Sequence, residues 1–176
     1  MPADDSDSAL IGAWLEGDES AASALVERHT NALARFLAAA GARDDLEDLV
    51  QETFIKAFRR IDGFRGSASF RTWLFAIGSN ALKDLRRSHR PAVLSLEDRD
   101  IPATGADPLE VAEEHEALTR LQDQVGRLPP MQRDVFLMRA QQGASYGEIA
   151  GALGTSEGAA RVHYHHAVKR LKAAID

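Results

Sequence analysis

The sequence contains no cysteine, and this absence removes several kinds of chemistry at once. Without thiols the chain has no disulfide framework, no thiolate nucleophile and no cysteine-based zinc site. Its beginning lacks the apolar core of a signal peptide, and no apolar run approaches transmembrane length. We therefore expect a cytoplasmic protein without membrane insertion. Its 176 residues suffice for one medium domain or two small ones.

Positive charge is scarce overall but concentrated in two blocks. The net charge of −6 alone argues against nucleic-acid binding. Residues 1–55 hold 3 basic and 12 acidic side chains, whereas residues 56–90 hold 9 and 2. Residues 91–126 hold 2 basic and 9 acidic side chains, and residues 127–176 hold 7 basic and 4 acidic ones. Two basic blocks separated by an acidic one predict two DNA-facing modules joined by a non-binding linker.

The chain is organised around Asp45 to Arg87, where two periodic helical segments flank a loop from Asp62 to Ser69. One face of the first segment is apolar and is predicted to be core: Leu46, Leu49, Val50, Thr53, Phe54, Ala57, Phe58 and Ile61. The opposite stripe is polar around one isoleucine: Asp48, Gln51, Glu52, Ile55 and Arg59. An ordinary solvated face is one interpretation of this stripe, but the exposed isoleucine favours a partner-binding face.

The loop and the second segment combine glycines, hydroxyls, aromatics and positive charge. Gly63 and Gly66 permit tight turns, and the loop serines can cap the next helix. In that helix helical spacing places Phe70, Trp73, Leu74, Ile77, Ala81, Leu82 and Leu85 in the core. The residues predicted to face outward are Arg71, Asn80, Lys83, Arg86 and Arg87.

The remaining segments before residue 128 are also helical or irregular. We predict a helix over residues 9–15 capped by Ser8, and a longer one over 19–40 in which His29 is a hydrogen-bonded packing residue. Proline, glycine and charged residues over 88–107 predict a flexible linker. Asp107-Pro108 then begins a helix that continues to about Val125.

The last part of the chain has the pattern of a helix-turn-helix. Pro130 opens a helix that Gly143 closes, and Ser145 with Glu148 forms a capping box for the next. Gly154 supplies the turn. In the final helix Ala160, Tyr164, Ala167 and Leu171 face inward. The candidates for the major groove are the start and outer face of this helix: Ser156, Glu157, Gly158, Arg161, Val162, His165, His166 and Lys169.

The central stretch resembles the core-binding and −10-binding segment of extracytoplasmic-function sigma factors of bacterial RNA polymerase. The similar parts, in register, are Asp48-Leu-Val-Gln-Glu-Thr-Phe54, Phe64-Arg-Gly66, Phe70-Arg-Thr-Trp-Leu74 and Asn80. The final segment is similar to the −35-element domain of the same class, through LPPMQRDVFLMR, residues 145–154 and Gly158-Ala-Ala-Arg161. This segment departs from the family at the recognition helix, where relatives usually have Gly-Thr-Val-Lys/Arg-Ser-Arg. This chain has Ala159 and Ala160 after Gly158, and it has His166 in place of the later arginine of the family motif.

The resemblance implies an all-α fold of two small helical domains joined by a flexible linker. Residues 1–90 would bind core polymerase and the −10 element, 91–107 would be the linker, and 108–176 would bind the −35 element. The stripe on the first segment would meet the polymerase. The implied −10 contacts are Phe64, Arg65, Gly66, Ser67, Ala68, Ser69, Arg71, Asn80, Lys83, Arg86 and Arg87. Such a protein is not an enzyme, needs no cofactor or metal, and often has an anti-sigma factor as a further partner.

Two other functions compete with this one. The first is a helix-turn-helix transcriptional regulator with an N-terminal sensing or dimerisation domain, which would have no need of a basic aromatic helix behind an acidic docking helix. The second is a metalloenzyme using His163, His165 and His166. Only the first and last of these share a helix face well, and no carboxylate cluster accompanies them.

Overall fold

A computed structural model describes residues 5–88 and 110–175, with side chains described for 6–88 and 119–174. Over these ranges the chain is helical, without strands, which confirms the all-α prediction. The elements are α1 (Asp5–Leu15), α2 (Glu19–Ala39), α3 (Leu46–Phe58), a 3-10 turn (Ile61–Gly63), α4 (Phe70–Ser88), α5 (Glu110–Arg127), α6 (Pro130–Gln142), α7 (Tyr146–Leu153) and α8 (Glu157–Ile175).

Helices α1 to α4 form the first bundle, in which α4 packs against α2 and α3. The predicted apolar face of α3 is confirmed, with Leu49, Phe54 and Ala57 buried. Gly78 lies where α4 packs tightly on α2, because a Cβ there would stand 3.2 Å from the Leu33 side chain and 3.3 Å from that of Leu37. A larger side chain at this position would therefore push α2 away from α4.

Helices α5 to α8 form the second bundle, and the predicted helix-turn-helix punctuation is confirmed. Gly143 ends α6 in the left-handed region with φ +65°. Ser145 and Glu148 form the capping box of α7, and Gly154 ends that helix at φ +66°. A positive φ is easy for glycine and strained for other residues, so these two positions fix where each helix stops.

One sequence-based boundary is wrong, and two lie outside the described residues. Helix α1 begins at Asp5, so Ser8 lies within it and is not its N-cap. The side chain of Asp7 contacts α2 and holds this earlier turn in place. The linker over 91–107 and the Asp107-Pro108 helix start fall where the structure describes nothing. Within the described ranges no helix is both long and apolar enough to cross a membrane.

The two bundles pack against each other, which the sequence did not indicate. Helix α4 contacts α6 and α7 as well as its partners in the first bundle. Accordingly, Ser79 lies outside the predicted apolar stripe of α4 and is buried, with its Oγ bound to Asp134 of α6. One connected core of buried side chains runs through both halves. Helix α4 is thus the common packing element of the fold.

A buried polar cluster attaches α1 to α2. His29 Nε2 lies 2.9 Å from Asp7 Oδ2, which confirms His29 as a hydrogen-bonded packing residue. Arg28 donates to the other Asp7 oxygen at 2.6 Å. Burial raises the pKa of Asp7, but the hydrogen bond and charge of His29, together with Arg28, outweigh it and leave that pKa below its ordinary value. The carboxylate form of Asp7 therefore stabilises the fold.

We predict that Asp7→Asn lowers the free energy of unfolding by about 1–3 kcal/mol at neutral pH, since it removes a buried charged acceptor. A depressed folded-state pKa gives a contribution that is complete above the ordinary value of 3.8 and is lost as pH falls through the lower folded value. Urea denaturation is measured from pH 7 to pH 3. The difference in free energy of unfolding between wild type and Asp7→Asn should become smaller at the acidic end of this range. Asp62→Asn, at an exposed position, serves as the control. A stability difference between wild type and Asp7→Asn that does not change with pH would contradict a stabilising role of the Asp7 carboxylate.

Candidate nucleic-acid interface

The predicted partner-binding stripe lies on the solvent side of α3. Asp48, Gln51, Glu52 and Arg59 are exposed, and 45% of the Ile55 surface is accessible. Glu52 lies 2.7 Å from Lys56 Nζ one turn later on the same helix. The stripe thus presents carboxylates around one accessible apolar side chain, a combination that suits a partner surface carrying positive charge and an apolar contact.

The loop between the 3-10 turn and α4 is only partly open. Phe64 packs against Phe70 and Trp73, with ring centroids 6.0 and 5.2 Å apart. Ala68 is buried. Ser69 Oγ accepts from the backbone N–H of Thr72 at 3.1 Å and so caps α4. Anchoring at both ends leaves the middle of the loop as its exposed part: Arg65, Gly66 and Ser67.

The predicted outward residues of α4 divide into two groups. Asn80 and Arg87 are exposed, and Arg71 is half-buried. Arg86 is also exposed, and its Nη2 donates to the Ala40 carbonyl at 2.7 Å. Burial and the positive charge of Arg133 lower the pKa of Arg86 from its ordinary value, although Asp134 acts in the opposite direction. Arg86 is thus exposed, as predicted, while its guanidinium also ties α4 to the end of α2.

Lys83 is also occupied, and its partner belongs to the other bundle. Its Nζ lies 2.8 Å from Oδ2 of Asp134 on α6. The same oxygen accepts a hydrogen bond from Ser79 Oγ at 2.6 Å. Asp134 has no accessible surface, while the Lys83 side chain retains 24%. A carboxylate of the second bundle thus binds the basic face of α4.

Helix α7 lies over the loop that precedes α4. A Cβ built on Gly151 would stand 3.6 Å from Ser67 Oγ. Burial raises the pKa of Glu148, but hydrogen bonds from Ser145 and from the backbone of Ser69 leave that pKa below its ordinary value. Helix α7 of the second bundle therefore lies close to Ser67 and Ser69 of this loop.

The start and outer face of α8 are accessible as predicted. Ser156 Oγ accepts from the backbone N–H of Ala159 at 3.1 Å and caps the helix. Arg161 donates to Glu157 at 2.6 Å. The other candidate residues of this face are exposed, including Val162 with 52% of its surface: Gly158, Val162, His165, His166 and Lys169. Ala160 and Ala167 point into the bundle with no accessible surface.

Sequence reasoning missed one residue of this surface, Tyr146. Two guanidinium groups lie over its ring, with Arg139 Cζ 4.9 Å and Arg161 Cζ 5.0 Å from the ring centroid. The Tyr164 ring meets it edge to face, at 6.0 Å between centroids. Spacing within one helix cannot reveal such a contact, because Tyr146 begins α7 while Arg161 lies on α8. The contact limits the positions that the Arg161 side chain can adopt.

The three histidines of α8 do not assemble a metal site in the described residues. His165 and His166 are exposed, with ring centroids 6.2 Å apart, and His163 is half-buried. Among the side chains that the structure describes, no three histidine, aspartate or glutamate residues are grouped as metal ligands.

Both halves match known protein families. Residues 25–92 match the family model of sigma-70 region 2. Residues 118–171 match that of sigma-70 region 4. The first match contains α3, the loop and α4, and the second contains α6, α7 and most of α8.

Relatives match along nearly the whole chain. It is 32% identical over 175 residues to the RNA polymerase sigma factor NccH of Alcaligenes xylosoxydans, covering 96% of this chain and 94% of that protein. It is 31% identical over 184 residues to the ECF RNA polymerase sigma-E factor of Haemophilus influenzae, covering 96% and 95%. The solved structure of CnrH in complex with the cytosolic domain of CnrY superposes with a TM-score of 0.73, at 30% identity over 97% of each chain. The chain therefore belongs to the extracytoplasmic-function class of the sigma-70 family of RNA polymerase sigma factors.

Proposed function

We propose that this sigma factor docks on core RNA polymerase through the α3 stripe, binds the −10 element through the loop and α4, and binds the −35 element through α8. The observation that carries the proposal is the pairing of the two family regions, one on each half, with exposed side chains of suitable chemistry on both. The polymerase performs the chemistry, and this chain supplies promoter recognition and opening. Residues 1–90 and 108–176 are the two binding units, joined by 91–107.

The regulator with an N-terminal sensing or dimerisation domain is not favoured. Its first half would have no reason to match sigma-70 region 2. The direct test is run-off transcription, in which the purified chain is added to core polymerase on templates carrying candidate promoters. Specific transcripts that depend on the chain are expected. A chain that binds an operator but directs no transcription would support the regulator instead.

The −10 assignment is supported by an exposed amide on α4 and by the exposed middle of the loop that precedes this helix. Asn80 offers a donor and an acceptor to the edge of a base, and Arg65 can hold the strand backbone. A base removed from the duplex is retained by edge hydrogen bonds and stacking, while cations hold the phosphates. Phe64, Ala68 and Ser69 support this loop through packing and capping.

The −35 assignment is supported by the position of Arg161. It lies in the first turns of α8, the part of a recognition helix that reaches base edges. Its guanidinium contacts both Glu157 and the Tyr146 ring. An arginine held in this way loses less conformational freedom when it binds DNA.

An anti-sigma factor is the further partner that we propose. The resemblance to the class leads to this expectation, and the relative CnrH has been solved bound to another polypeptide, the cytosolic domain of CnrY.

We predict that Asp48→Lys with Glu52→Lys weakens binding to core polymerase by about 100-fold or more, because like charges then face each other across the interface. Circular dichroism should stay unchanged, since exposed substitutions usually alter stability by less than about 0.5 kcal/mol. The control is Glu27→Lys with Glu47→Lys, which makes the same change of charge on exposed residues outside the stripe. Equal weakening by both pairs would contradict the docking assignment.

We predict that Asn80→Ala weakens binding of a single-stranded −10 oligonucleotide to the polymerase-bound chain by about tenfold, the loss of one base-edge contact. Binding of a −35 duplex should not change. Asn31→Ala, an exposed asparagine on α2, is the matched control. If the substitution weakens binding of the −10 oligonucleotide and of the −35 duplex by the same factor, the −10 role of this side chain is wrong.

We predict that Tyr146→Leu weakens −35 duplex binding by the full-length chain about two- to fivefold, because Arg161 loses its aromatic neighbour. Tyr146→Phe keeps the ring and should bind normally. Combining Tyr146→Leu with Arg161→Ala should give no more loss than Arg161→Ala alone, since Tyr146 acts through that arginine. Fully additive losses would show that the tyrosine acts by another route.

A further inference from the structure

His29 is a buried polar side chain of α2 that the proposed function does not use, with 2% of its surface accessible. Its Nε2 faces Asp7 Oδ2 of α1 at 2.9 Å, and Arg28 donates to the other Asp7 oxygen at 2.6 Å. Because a carboxylate can only accept, Nε2 carries the proton and donates to Asp7. Nδ1 is buried as well and has no hydrogen-bond partner in the described part of the chain. Within those residues, Asp7 is therefore the polar group that fixes the direction of this ring.

The other contact of the His29 ring leads towards the loop that precedes α4. Its centroid lies 5.3 Å from that of the Phe70 ring, with the two planes tilted by 59°. Phe70 is the first residue of α4, and 1% of its surface is accessible. The Phe70 ring in turn meets Phe64 at 6.0 Å and Trp73 at 5.8 Å. A series of buried contacts thus runs from α1 through α2 to the aromatic residues that flank the loop.

The positions of these aromatic rings fix the loop at its start. Phe64 packs on Phe70 and Trp73, while at the other end Ser69 caps α4. The exposed part between the two ends is short, so its conformation depends on the side chains beneath it. Close-packed rings transmit a displacement to their neighbours, and a shift of Phe70 would therefore move the Phe64 end of the loop.

We propose that His29 is a positioning residue for −10 recognition: held by Asp7, its ring supports Phe70 and so keeps the loop in the conformation that receives the strand. This inference rests on the proposed function of the loop. Helix α1 then contributes to promoter binding, although none of its residues is expected to touch DNA. A loop that is already in its bound conformation loses less freedom on binding, so the affinity for the −10 strand depends on the contact between Asp7 and His29.

Two substitutions interrupt this series of contacts at different places. His29→Gln keeps a nitrogen donor for Asp7 but removes the ring that packs on Phe70. Asp7→Ala keeps the ring and removes the acceptor that orients it. The matched control is Leu33→Ala, because Leu33 is a fully buried residue of the same helix, one turn after His29, and its side chain lies against Gly78, two turns beyond Phe70.

The measurements separate the loop from the rest of the protein. All chains carry Trp14→Phe, so that Trp73 is the remaining tryptophan and its emission reports the packing beside the loop. Emission is recorded for the free full-length chain. Affinities for a single-stranded −10 oligonucleotide and for a −35 duplex are recorded for the polymerase-bound chain. Circular dichroism verifies that each variant is folded.

We expect His29→Gln and Asp7→Ala each to shift the Trp73 emission and to weaken binding of the −10 oligonucleotide by about fivefold. Binding of the −35 duplex should not change. The double variant should bind the −10 oligonucleotide no more weakly than His29→Gln alone, since Asp7 acts through the ring. Leu33→Ala should leave both affinities and the emission unchanged.

Normal −10 affinity in folded His29→Gln would overturn the positioning role, whether or not the Trp73 emission shifts. The same loss of −10 affinity in Leu33→Ala would overturn it too, because a general weakening of the core would then be responsible. His29→Gln keeps α1 attached and therefore decides the question even where Asp7→Ala does not fold. A failure of the proposed function is distinguishable, since the wild-type complex would then bind the −10 oligonucleotide no better than one of unrelated sequence.

Discussion

The fold depends on a constraint imposed on α4, which must pack against four other helices and also carry the surface that we propose binds the −10 strand. One side of α4 contacts α2 and α3, and another contacts α6 and α7. What remains for solvent is a narrow strip that includes Asn80 and Arg87. Because a helix has only about 3.6 residues per turn, few positions of α4 face each neighbour, and a residue that packs in the core cannot also face solvent. Gly78 shows the result, since even a methyl group there would crowd α2.

The same constraint explains why several cations of the first half are internally paired. Lys83 binds Asp134, and Arg86 binds the Ala40 carbonyl. A basic block read from the sequence therefore overstates the positive charge available to a ligand in this conformation. In the structure some basic side chains of residues 56–90 stabilise contacts between helices, and others remain accessible to a ligand.

Local rules predicted much of this molecule. Helix stops at Gly143 and Gly154, the capping box of α7 and the inward face of α8 depend on neighbours a few residues apart, and the structure confirms them. Contacts between distant segments were not predictable in this way. The Tyr146 ring meets Arg161 from another helix. Asp134 would be expected on the surface, since an isolated carboxylate is rarely buried, and only the partners on α4 make its burial favourable.

The two kinds of aromatic chromophore lie in different halves of the chain. Both tryptophans belong to the first bundle, where Trp14 packs on Phe58 and Trp73 on Phe64. Both tyrosines, Tyr146 and Tyr164, belong to the second bundle and touch each other. Indole emission therefore reports one half and phenol absorption the other, within one unlabelled molecule. Denaturation curves from the two chromophores coincide if the halves unfold as a single cooperative unit and separate if they do not.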